Sequence, residues 1–257
     1  LFLIGPILVI VPLSFNAEPY FTFTKEMLSF DPAGYSLRWY QDFFNSDDWL
    51  RSIKNSFIIA IASTIVSTFL GTLAALGLSS RHMPYRAAIM GLMISPMVVP
   101  LIISAAAMFF FYSTINLVQT YAGMILAHAV LGTPFVVITV TSTLMGFDHS
   151  LTRAAASLGA SPVRTFFRVV LPLVTPGVVS GALFAFITSF DEVVVVLFLS
   201  GPEQRTVPIQ MWAGIREQIS PTILAVATLL VAVSILLLTT LELLRRRSER
   251  LRGMSPG

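Results

Sequence analysis

The chain has 257 residues, of which 55% are hydrophobic and 11% are charged, and its formal net charge at pH 7 is +3. A soluble domain carries about a quarter of its residues as charged side chains, so this composition excludes an ordinary soluble domain and predicts several membrane spans. Cysteine is absent, which excludes disulfides, thiol catalysis and thiolate metal sites. No metal-ligand spacing joins the three histidines, His82, His128 and His149.

Apolar stretches predict a polytopic, all-α membrane protein with six spans and a single transmembrane domain, residues 1–257. Residues 1–15 are predicted to be the surviving part of a truncated first span, because Leu1 rather than Met begins the sequence; a secretory signal peptide is the alternative. The other five spans are predicted at residues 56–79, 87–112, 121–145, 173–199 and 219–244. Each is long enough to cross about 30 Å of hydrocarbon at about 1.5 Å per residue.

The longest predicted loop, residues 16–54, is polar and aromatic. Its end, SDDWLRSIKNS, is predicted to be a short interfacial helix with Trp49 and Lys54 near the lipid headgroups.

The second span presents small side chains that predict close helix packing: Ser63, Ser67, Gly71, Ala74 and Ala75. The third span should bend at Pro96 and Pro100. These prolines and Met97 are candidates to line a pathway, with kinked packing as the alternative.

The distribution of basic residues predicts the orientation of the spans. With six spans, ten of the 16 Lys and Arg fall on one side, and that side is predicted to be cytoplasmic. They are Arg81, Arg86, Arg153, Arg164, Arg168, Arg245, Arg246, Arg247, Arg250 and Arg252. Both termini, the segment 146–172 and the tail 245–257 are therefore predicted to lie in the cytosol, and the loops 16–54 and 200–218 outside.

Catalytic and nucleotide-binding patterns are missing from the sequence. It contains no HExxH, no GxSxG and no GxxxxGK[ST], so the chain has no loop of its own to cradle ATP phosphates. Asp148 and His149 are predicted to cap the helix that opens the cytoplasmic segment, with a catalytic pair as the alternative.

An acidic pair lies inside the fifth predicted span. Asp191 and Glu192 follow Phe190 in SFDEVVVVLFLSG, about 25 Å from the cytoplasmic start of the span at about 1.5 Å per residue. A carboxylate at that depth normally faces a cavity, a partner or a pathway. The residues Phe190, Asp191 and Glu192 are candidates for attracting a cation. The alternative is a structural cap or an interhelical hydrogen bond at a helix break near Gly201 and Pro202.

The longest polar interruption in the second half of the sequence is SLTRAAASLGASPVRTFFRVVLP, residues 150–172. Its residues 151–158 predict an alanine-rich helix that Gly159 ends in the left-handed conformation. Ser161 and Pro162 then start a second helix, and Leu171-Pro172 opens the next span.

This segment resembles the cytoplasmic EAA motif of permease subunits in bacterial ATP-binding cassette (ABC) importers: EAA, three residues, Gly, nine residues, Ile, one residue, Leu-Pro. The spacing matches throughout, with Arg153 in the glutamate position and Val169 in the isoleucine position. The resemblance implies the type I ABC importer permease (MetI-like) fold, whose coupling helix docks on a separate ATPase. The residues it assigns to coupling are Arg153, Ala154, Ala155, Leu158, Gly159, Leu171 and Pro172.

The stretch that begins at SFDE resembles spermidine/putrescine-type permeases, and the similarity covers residues of about 50–244. It implies an inner-membrane subunit that does no bond chemistry and transports a cationic polyamine. The implied partners are a second permease, a cytoplasmic ATPase dimer that carries ATP and Mg²⁺, and a periplasmic binding protein. This chain itself would hold no cofactor.

Several alternatives stay open at this stage. The substrate could instead be an amino acid, iron or an oxyanion, and an ion-coupled secondary transporter could use Asp191 or Glu192 as its ion site. Trp212 and Arg216 could contact the binding protein or simply anchor the chain at the interface.

Overall fold

The structure is a computed structural model that describes residues 5–80, 83–148, 150–217 and 220–251. The predictions for Arg81, His82 and His149, for residues 1–4 of the first span, for residue 219 at the start of the sixth and for the tail from Arg252 lie outside the described residues. The side chains of Arg216 and of the basic residues 245–250 lie outside them as well.

The described residues are mainly helical, which confirms the all-α prediction. The helices are α1 (Gly5–Leu13), α2 (Lys25–Leu28), α3 (Arg38–Asn45), α4 (Asp47–Leu78), α5 (Arg86–Val98), α6 (Leu101–Thr114), α7 (Tyr121–Met145), α8 (Ser150–Ser157), α9 (Pro162–Thr165), α10 (Leu171–Phe190), α11 (Val194–Leu199), α12 (Val207–Glu217) and α13 (Thr222–Leu251). Short 3₁₀ turns span Pro32–Gly34 and Pro202–Gln204, and a π-helical turn spans Phe166–Val170.

The prediction of six spans is not confirmed. Among the residues that the structure describes, three helical stretches are long and apolar enough to cross a membrane: Asp47–Leu78, Tyr121–Met145 and Pro162–Phe190. Helices α5 and α6 make a fourth if the bent pair counts as one span. Helix α1 has only 9 residues, and the apolar stretch Thr222–Leu236 is shorter than the roughly 20 residues that a span needs.

The predicted boundaries shift at both ends of the second and fifth spans. Helix α4 begins at Asp47, so the predicted interfacial helix is the first part of α4, and Asp47 and Asp48 suit the positive end of its dipole. The fifth predicted span begins earlier, at Pro162, and is broken after Phe190.

The chain divides into two compact units. The first comprises Leu1–Leu50 and Met211–Gly257, and within it α13 packs against α1 and α3. The indole N–H of Trp39 donates to the backbone carbonyl of Asn16 over 2.8 Å. Trp49, predicted to lie at the headgroups, is instead buried, with its ring 5.9 Å from that of Phe43.

The second unit, Arg51–Gln210, contains the long apolar helices α4, α7 and α10. Small residues bring them together, because a Cβ atom added to Gly71 on α4 would lie 2.7 Å from Val136 Cβ on α7. A Cβ atom on Gly132 of α7 would similarly lie 2.8 Å from Ser67 Oγ and 2.9 Å from Ala185 Cβ on α10. The predicted small-residue face of α4 is therefore a packing face, and the described candidate site residues all lie in this unit.

Candidate functional site

Helix α8 begins with a side-chain cap. The carboxylate of Asp148 accepts hydrogen bonds from the backbone N–H of Ser150 at 2.8 Å and from its hydroxyl at 2.6 Å. The first N–H groups of a helix have no intrahelical partner, so a short acidic side chain at this point starts the helix. The capping role predicted for Asp148 is confirmed.

Helix α8 ends at Gly159 as the sequence predicts. Gly159 has φ +77°, a left-handed conformation that L side chains rarely adopt. Its N–H donates to the carbonyl of Ala156 at 2.9 Å, and the N–H of Ala160 donates to the carbonyl of Ala155 at 3.0 Å. This pair of bonds is the Schellman motif, which satisfies the last carbonyls of a helix and turns the chain sharply.

A second helix follows at once and continues into the bilayer-length helix. The hydroxyl of Ser161 accepts from the N–H of Arg164 at 3.4 Å, and Pro162 occupies the first turn. The helix then passes through a π-helical turn to Leu171, whose N–H bonds the carbonyl of Phe166. Pro172 has no N–H and would crowd the carbonyl four residues before it, so the wider turn accommodates the Leu-Pro step without ending the helix.

The segment from α8 to the π-helical turn presents apolar side chains that nothing in the described chain covers. Leu158 is 88% exposed, and Leu151, Val163 and Phe167 are also exposed. Helix α8 buries none of its residues. Arg153 is exposed on the same helix and forms no ion pair within the described part of the chain. The structure therefore leaves the residues of the predicted coupling helix unburied by the described chain.

The acidic pair sits in a gap between α10 and α11, and its two members differ. Glu192 is buried, and its carboxylate accepts the N–H of Val195 at 2.8 Å, which starts α11 anew. Asp191 is exposed at the C-terminal end of α10 and makes no side-chain hydrogen bond or ion pair in the described chain. A carboxylate at a helix C-terminus opposes the helix dipole, so Asp191 contributes nothing to the stability of α10.

Phe190, which precedes Asp191 in the sequence, belongs to a small aromatic cluster. Its ring centroid is 5.4 Å from that of Phe57 in an edge-to-face arrangement and 5.7 Å from that of Phe186 in a stacked one. Both pairs have the geometry that aromatic rings prefer, and they hold Phe190 half-buried. The structure thus packs Phe190 against two aromatic rings, leaves the carboxylate of Asp191 unpaired in the described chain, and gives Glu192 a structural bond.

A buried polar network under the gap was missed by sequence reasoning. Nδ1 of His128 lies 2.7 Å from Oγ of Ser189, and Ser63 Oγ donates to the same oxygen at 3.0 Å. These residues belong to α7, α10 and α4, so the network ties the end of α10 to two neighbouring helices. The available signal was the imidazole inside a predicted span, because ionisable groups there normally have a partner.

A second polar cluster, also missed, holds the loop 200–206. The side-chain amide of Asn55 on α4 donates to the carbonyls of Glu203 at 2.8 Å and Arg205 at 2.9 Å. The hydroxyl of Tyr121, at the start of α7, donates to Asn55 Oδ1 at 2.7 Å. Asn55 therefore joins two spans to a distant loop, since Glu203 and Arg205 lie 148 and 150 residues after Asn55 in the sequence.

Comparison with known families gives the chain a class. Residues 67–250 match the family described as "Binding-protein-dependent transport system inner membrane component". The chain belongs to this family. Its members are components of the bacterial inner membrane, and the apolar helices α4, α7 and α10 agree with a multi-pass protein there. The match includes the whole of the segment 150–172, which has the spacing of the EAA motif, and the Phe190–Glu192 block.

Two individual relatives of this inner-membrane component show which transport systems it resembles. The chain is 30% identical over 244 residues to the spermidine/putrescine transport system permease protein PotC of Haemophilus influenzae, covering 95% of this chain and 92% of the relative. It is 31% identical over 237 residues to the putrescine transport system permease protein PotI of Escherichia coli K12, covering 89% and 81%.

Solved structures show the fold. A chain in the crystal structure of a bacterial alginate ABC transporter, in complex with an alginate pentasaccharide-bound periplasmic protein, superposes with a TM-score of 0.71 at 17% identity. The superposition covers 96% of this chain and 89% of that one. The MetI-like fold that the resemblance implied is therefore confirmed for this inner-membrane component.

Proposed function

We propose that this inner-membrane component is one of two permease subunits of an ABC importer for polyamines. The observation that carries the proposal is the 30% identity over 95% of the chain to a spermidine/putrescine permease. The exposed carboxylate of Asp191, unpaired in the described chain, and the aromatic residue Phe190 that precedes it support the proposal, because an ammonium group is attracted by both a carboxylate and an aromatic face.

The exposed residues of α8 support a coupling role. A docking surface for another protein combines exposed apolar side chains with polar ones, and this segment exposes Leu151, Leu158 and Arg153. In the proposed mechanism a groove of the ATPase receives α8, with Leu158 as an apolar anchor. Closure of the ATPase dimer around ATP and Mg²⁺ moves α8, and the Leu171-Pro172 step transmits the motion to α10.

Arg153 gives this interface a distinct charge. The motif expects an acid at this position, so the surface of the partner ATPase that meets α8 should carry a complementary acidic side chain here. Ala154 and Ala155 keep the helix narrow on either side of the docking face. Gly159 fixes the angle at which the chain leaves the groove.

The same proposal includes six spans with both termini in the cytosol. Helices α1 and α13 would supply the first and the sixth span, and α13 extends over 30 residues. The ten Lys and Arg on the side of α8 support this orientation. The loop 200–206, clamped by Asn55, then faces the periplasm, where a binding protein delivers substrate. Trp212 is exposed and could meet that protein or the bilayer interface.

Within the route, Asp191 and Phe190 would hold one ammonium group of the substrate. Asp191 has no competing bond in the described chain, whereas the carboxylate of Glu192 is occupied by the N–H of Val195. Of the two acids, Asp191 therefore attracts the cation and Glu192 shapes the gap.

Reconstituted transport tests this function. The chain would be assembled with its partner permease, ATPase and binding protein in proteoliposomes, and uptake of labelled putrescine, spermidine, glutamine and sulfate would be compared with and without ATP. We expect ATP-dependent uptake of the two polyamines only. Uptake of glutamine or sulfate in their place would overturn the substrate, and proton-driven uptake by this chain alone would overturn the ABC permease role.

A further inference from the structure

The third predicted span is broken in a way that frees backbone groups. Helices α5 and α6 meet at Val99 and Pro100 with a bend of 101°. We call residues 96–102 the elbow. Pro96 and Pro100 both lack an N–H, so neither can donate to the carbonyl four residues earlier, and the bend carries the next N–H groups away from α5.

Of the carbonyl oxygens near the bend that lack a helical N–H donor, one accepts a side-chain hydrogen bond instead, and three at the end of α5 accept none. The hydroxyl of Ser95 donates to the carbonyl of Leu92 at 2.8 Å, which is the acceptor that Pro96 leaves vacant. The carbonyl oxygens at the end of α5 receive no hydrogen bond from any residue that the structure describes. They are those of Pro96, Met97 and Val98.

Two of the three residues that carry these carbonyls are exposed in this chain. Val98 is 78% exposed and Met97 46%. In hydrocarbon each unpaired carbonyl costs several kcal/mol, so irregular backbone occurs at membrane depth only where it is covered by protein or lines a water-filled cavity. The elbow therefore cannot face lipid tails.

The elbow and the acidic gap open at the same end of one helix pair. Helices α6 and α11 pack together, and the N–H of Gln119, just after α6, bonds the carbonyl of Leu199 at the end of α11 over 2.8 Å. The two helices thus end together and run parallel. Their starts, Leu101 and Val194, both border the same buried cluster. Helix α6 has 14 residues and helix α11 has 6, so at about 1.5 Å per residue the start of α6 lies about 12 Å further from the shared end than the start of α11.

We propose that the elbow is a second cation subsite of the translocation route, in which the carbonyl oxygens of Pro96, Met97 and Val98 accept hydrogen bonds from a primary ammonium group. This inference rests on the proposed polyamine function. A primary ammonium carries three N–H donors, as lysine does, and the elbow offers three acceptors. An extended diamine or triamine could then reach from Asp191 toward the elbow. Because the elbow has no formal charge, it binds more weakly than Asp191 and favours onward release.

The absence of cysteine makes the test direct, because a single introduced thiol is the chain's only one. Met97→Cys and Val98→Cys would be placed in the assembled importer and exposed to a charged, membrane-impermeant thiol reagent, with labelling of this chain read by intact mass. Phe69→Cys is the matched control, since Phe69 is 64% exposed on the unbroken helix α4. We expect both elbow thiols to react and the control thiol to stay unlabelled.

Ligand protection separates a cation subsite from simple water access. Putrescine at ten times its Kd should slow labelling at residues 97 and 98 about tenfold, in proportion to the free fraction of sites. The bis-quaternary analogue, with the same two charges and spacing but no N–H donors, should not protect. Pro100→Ala would restore a backbone N–H and remove the proline that prevents a continuous helix, so the Pro96 carbonyl could regain its helical donor. Combined with Met97→Cys, it should reduce both the labelling of the introduced thiol and its protection.

Each outcome decides one hypothesis. Unreactive elbow thiols, or thiols that the bis-quaternary analogue protects as well as putrescine does, overturn the subsite while polyamine uptake by the parent importer still stands. If the parent importer takes up no polyamine, the proposed function fails and the subsite fails with it. Equal labelling with and without putrescine in a transporting importer leaves a water-lined elbow and overturns the subsite alone.

Discussion

Nδ1 of His128 lies 2.7 Å from Oγ of Ser189, although 61 residues separate them in the chain. The contact is almost completely buried, with His128 1% exposed. Ser189 precedes Asp191 by two residues, so this bond fixes the last turn of α10 just before the acidic gap. Nε2 of His128 has no hydrogen-bond partner among the described residues, which makes the Ser189 contact the imidazole's one bond there.

Ser189→Ala should lower the stability of the importer measurably. The change leaves the imidazole of His128 buried without a partner, which costs about 1–3 kcal/mol. The measurement is the apparent unfolding temperature of the assembled importer in nanodiscs. Ser113→Ala is the control, since the exposed Ser113 hydroxyl bonds only the Phe109 carbonyl of its own helix at 2.8 Å, and we expect a change within about 0.5 kcal/mol. Equal shifts for the two variants would contradict the role of the network.

Asp191→Asn should separate transport from stability. Removing a negative charge from the C-terminal end of α10 should leave stability unchanged or raise it by about 0.3–1 kcal/mol. The same change removes the carboxylate that attracts the cation, so kcat/KM for polyamine uptake should fall by about tenfold or more, equivalent to about 1.4 kcal/mol of lost attraction. Uptake kinetics and unfolding temperature on the same preparation provide the two measurements.

Glu192→Gln is the matched control, because it removes one charge from the neighbouring residue. The amide oxygen of a glutamine can still accept the N–H of Val195, so we expect uptake to stay near that of the parent protein. A loss of uptake as large as that of Asp191→Asn would show that charge anywhere in the gap matters, and it would contradict the assignment to Asp191.

Gly159→Val should uncouple ATP hydrolysis from transport. A Cβ atom at Gly159 meets no atom within 4 Å, so any effect comes from the backbone, where φ is +77°. Holding a non-glycine residue in this conformation costs about 1–2 kcal/mol, most for a β-branched one, and the exit angle of α8 is lost. We expect binding-protein-stimulated ATPase activity to fall sharply, while the binding protein keeps its own affinity for substrate.

Gly159→Asn should retain most of that stimulation, since asparagine tolerates the left-handed region better than other non-glycine residues. Undiminished coupling in the valine variant would argue that the turn after α8 is not part of the transmission.

Asn55→Ala should loosen the loop 200–206. Asn55 is 1% exposed, and its loss leaves the carbonyl of Arg205 without its side-chain donor and Tyr121 without its Asn55 acceptor, which costs about 1–3 kcal/mol. The loop should become more sensitive to limited proteolysis and the unfolding temperature should drop.

Arg51→Ala offers the comparison for this loop. Arg51 pairs with Glu203 at 3.3 Å, but the two side chains are 43% and 71% exposed, and exposed ion pairs contribute about 0–1 kcal/mol. We expect little change in either measurement. A larger effect for Arg51→Ala than for Asn55→Ala would mean that charge rather than the buried amide holds the loop.

The coupling segment was predictable because its physics is local. The left-handed end at Gly159, the cap by Asp148 and the helix start at Pro162 each depend on residues within a few positions, and the structure has all three. The apolar runs of α4, α7 and α10 were predictable for a similar reason, since length and hydropathy alone identify a span.

The acidic pair was only half predictable. Sequence placed Asp191 and Glu192 inside one continuous span and left a pathway role and a structural cap open for both. Tertiary structure breaks the span at the pair and treats its members differently. The Glu192 carboxylate turns back to the N–H of Val195, while Asp191 stays free in the described chain.

By itself, the sequence determined that this protein has long apolar spans, carries a segment with the spacing of the EAA motif and ends that segment's first helix at a glycine. Only the tertiary structure decided which groups meet: His128 with Ser189, and Asn55 with the backbone carbonyls of Glu203 and Arg205. Local conformation follows from neighbours along the chain. Contacts across 61 or 150 residues follow from how close small residues let α4, α7 and α10 approach, and no periodicity records that distance.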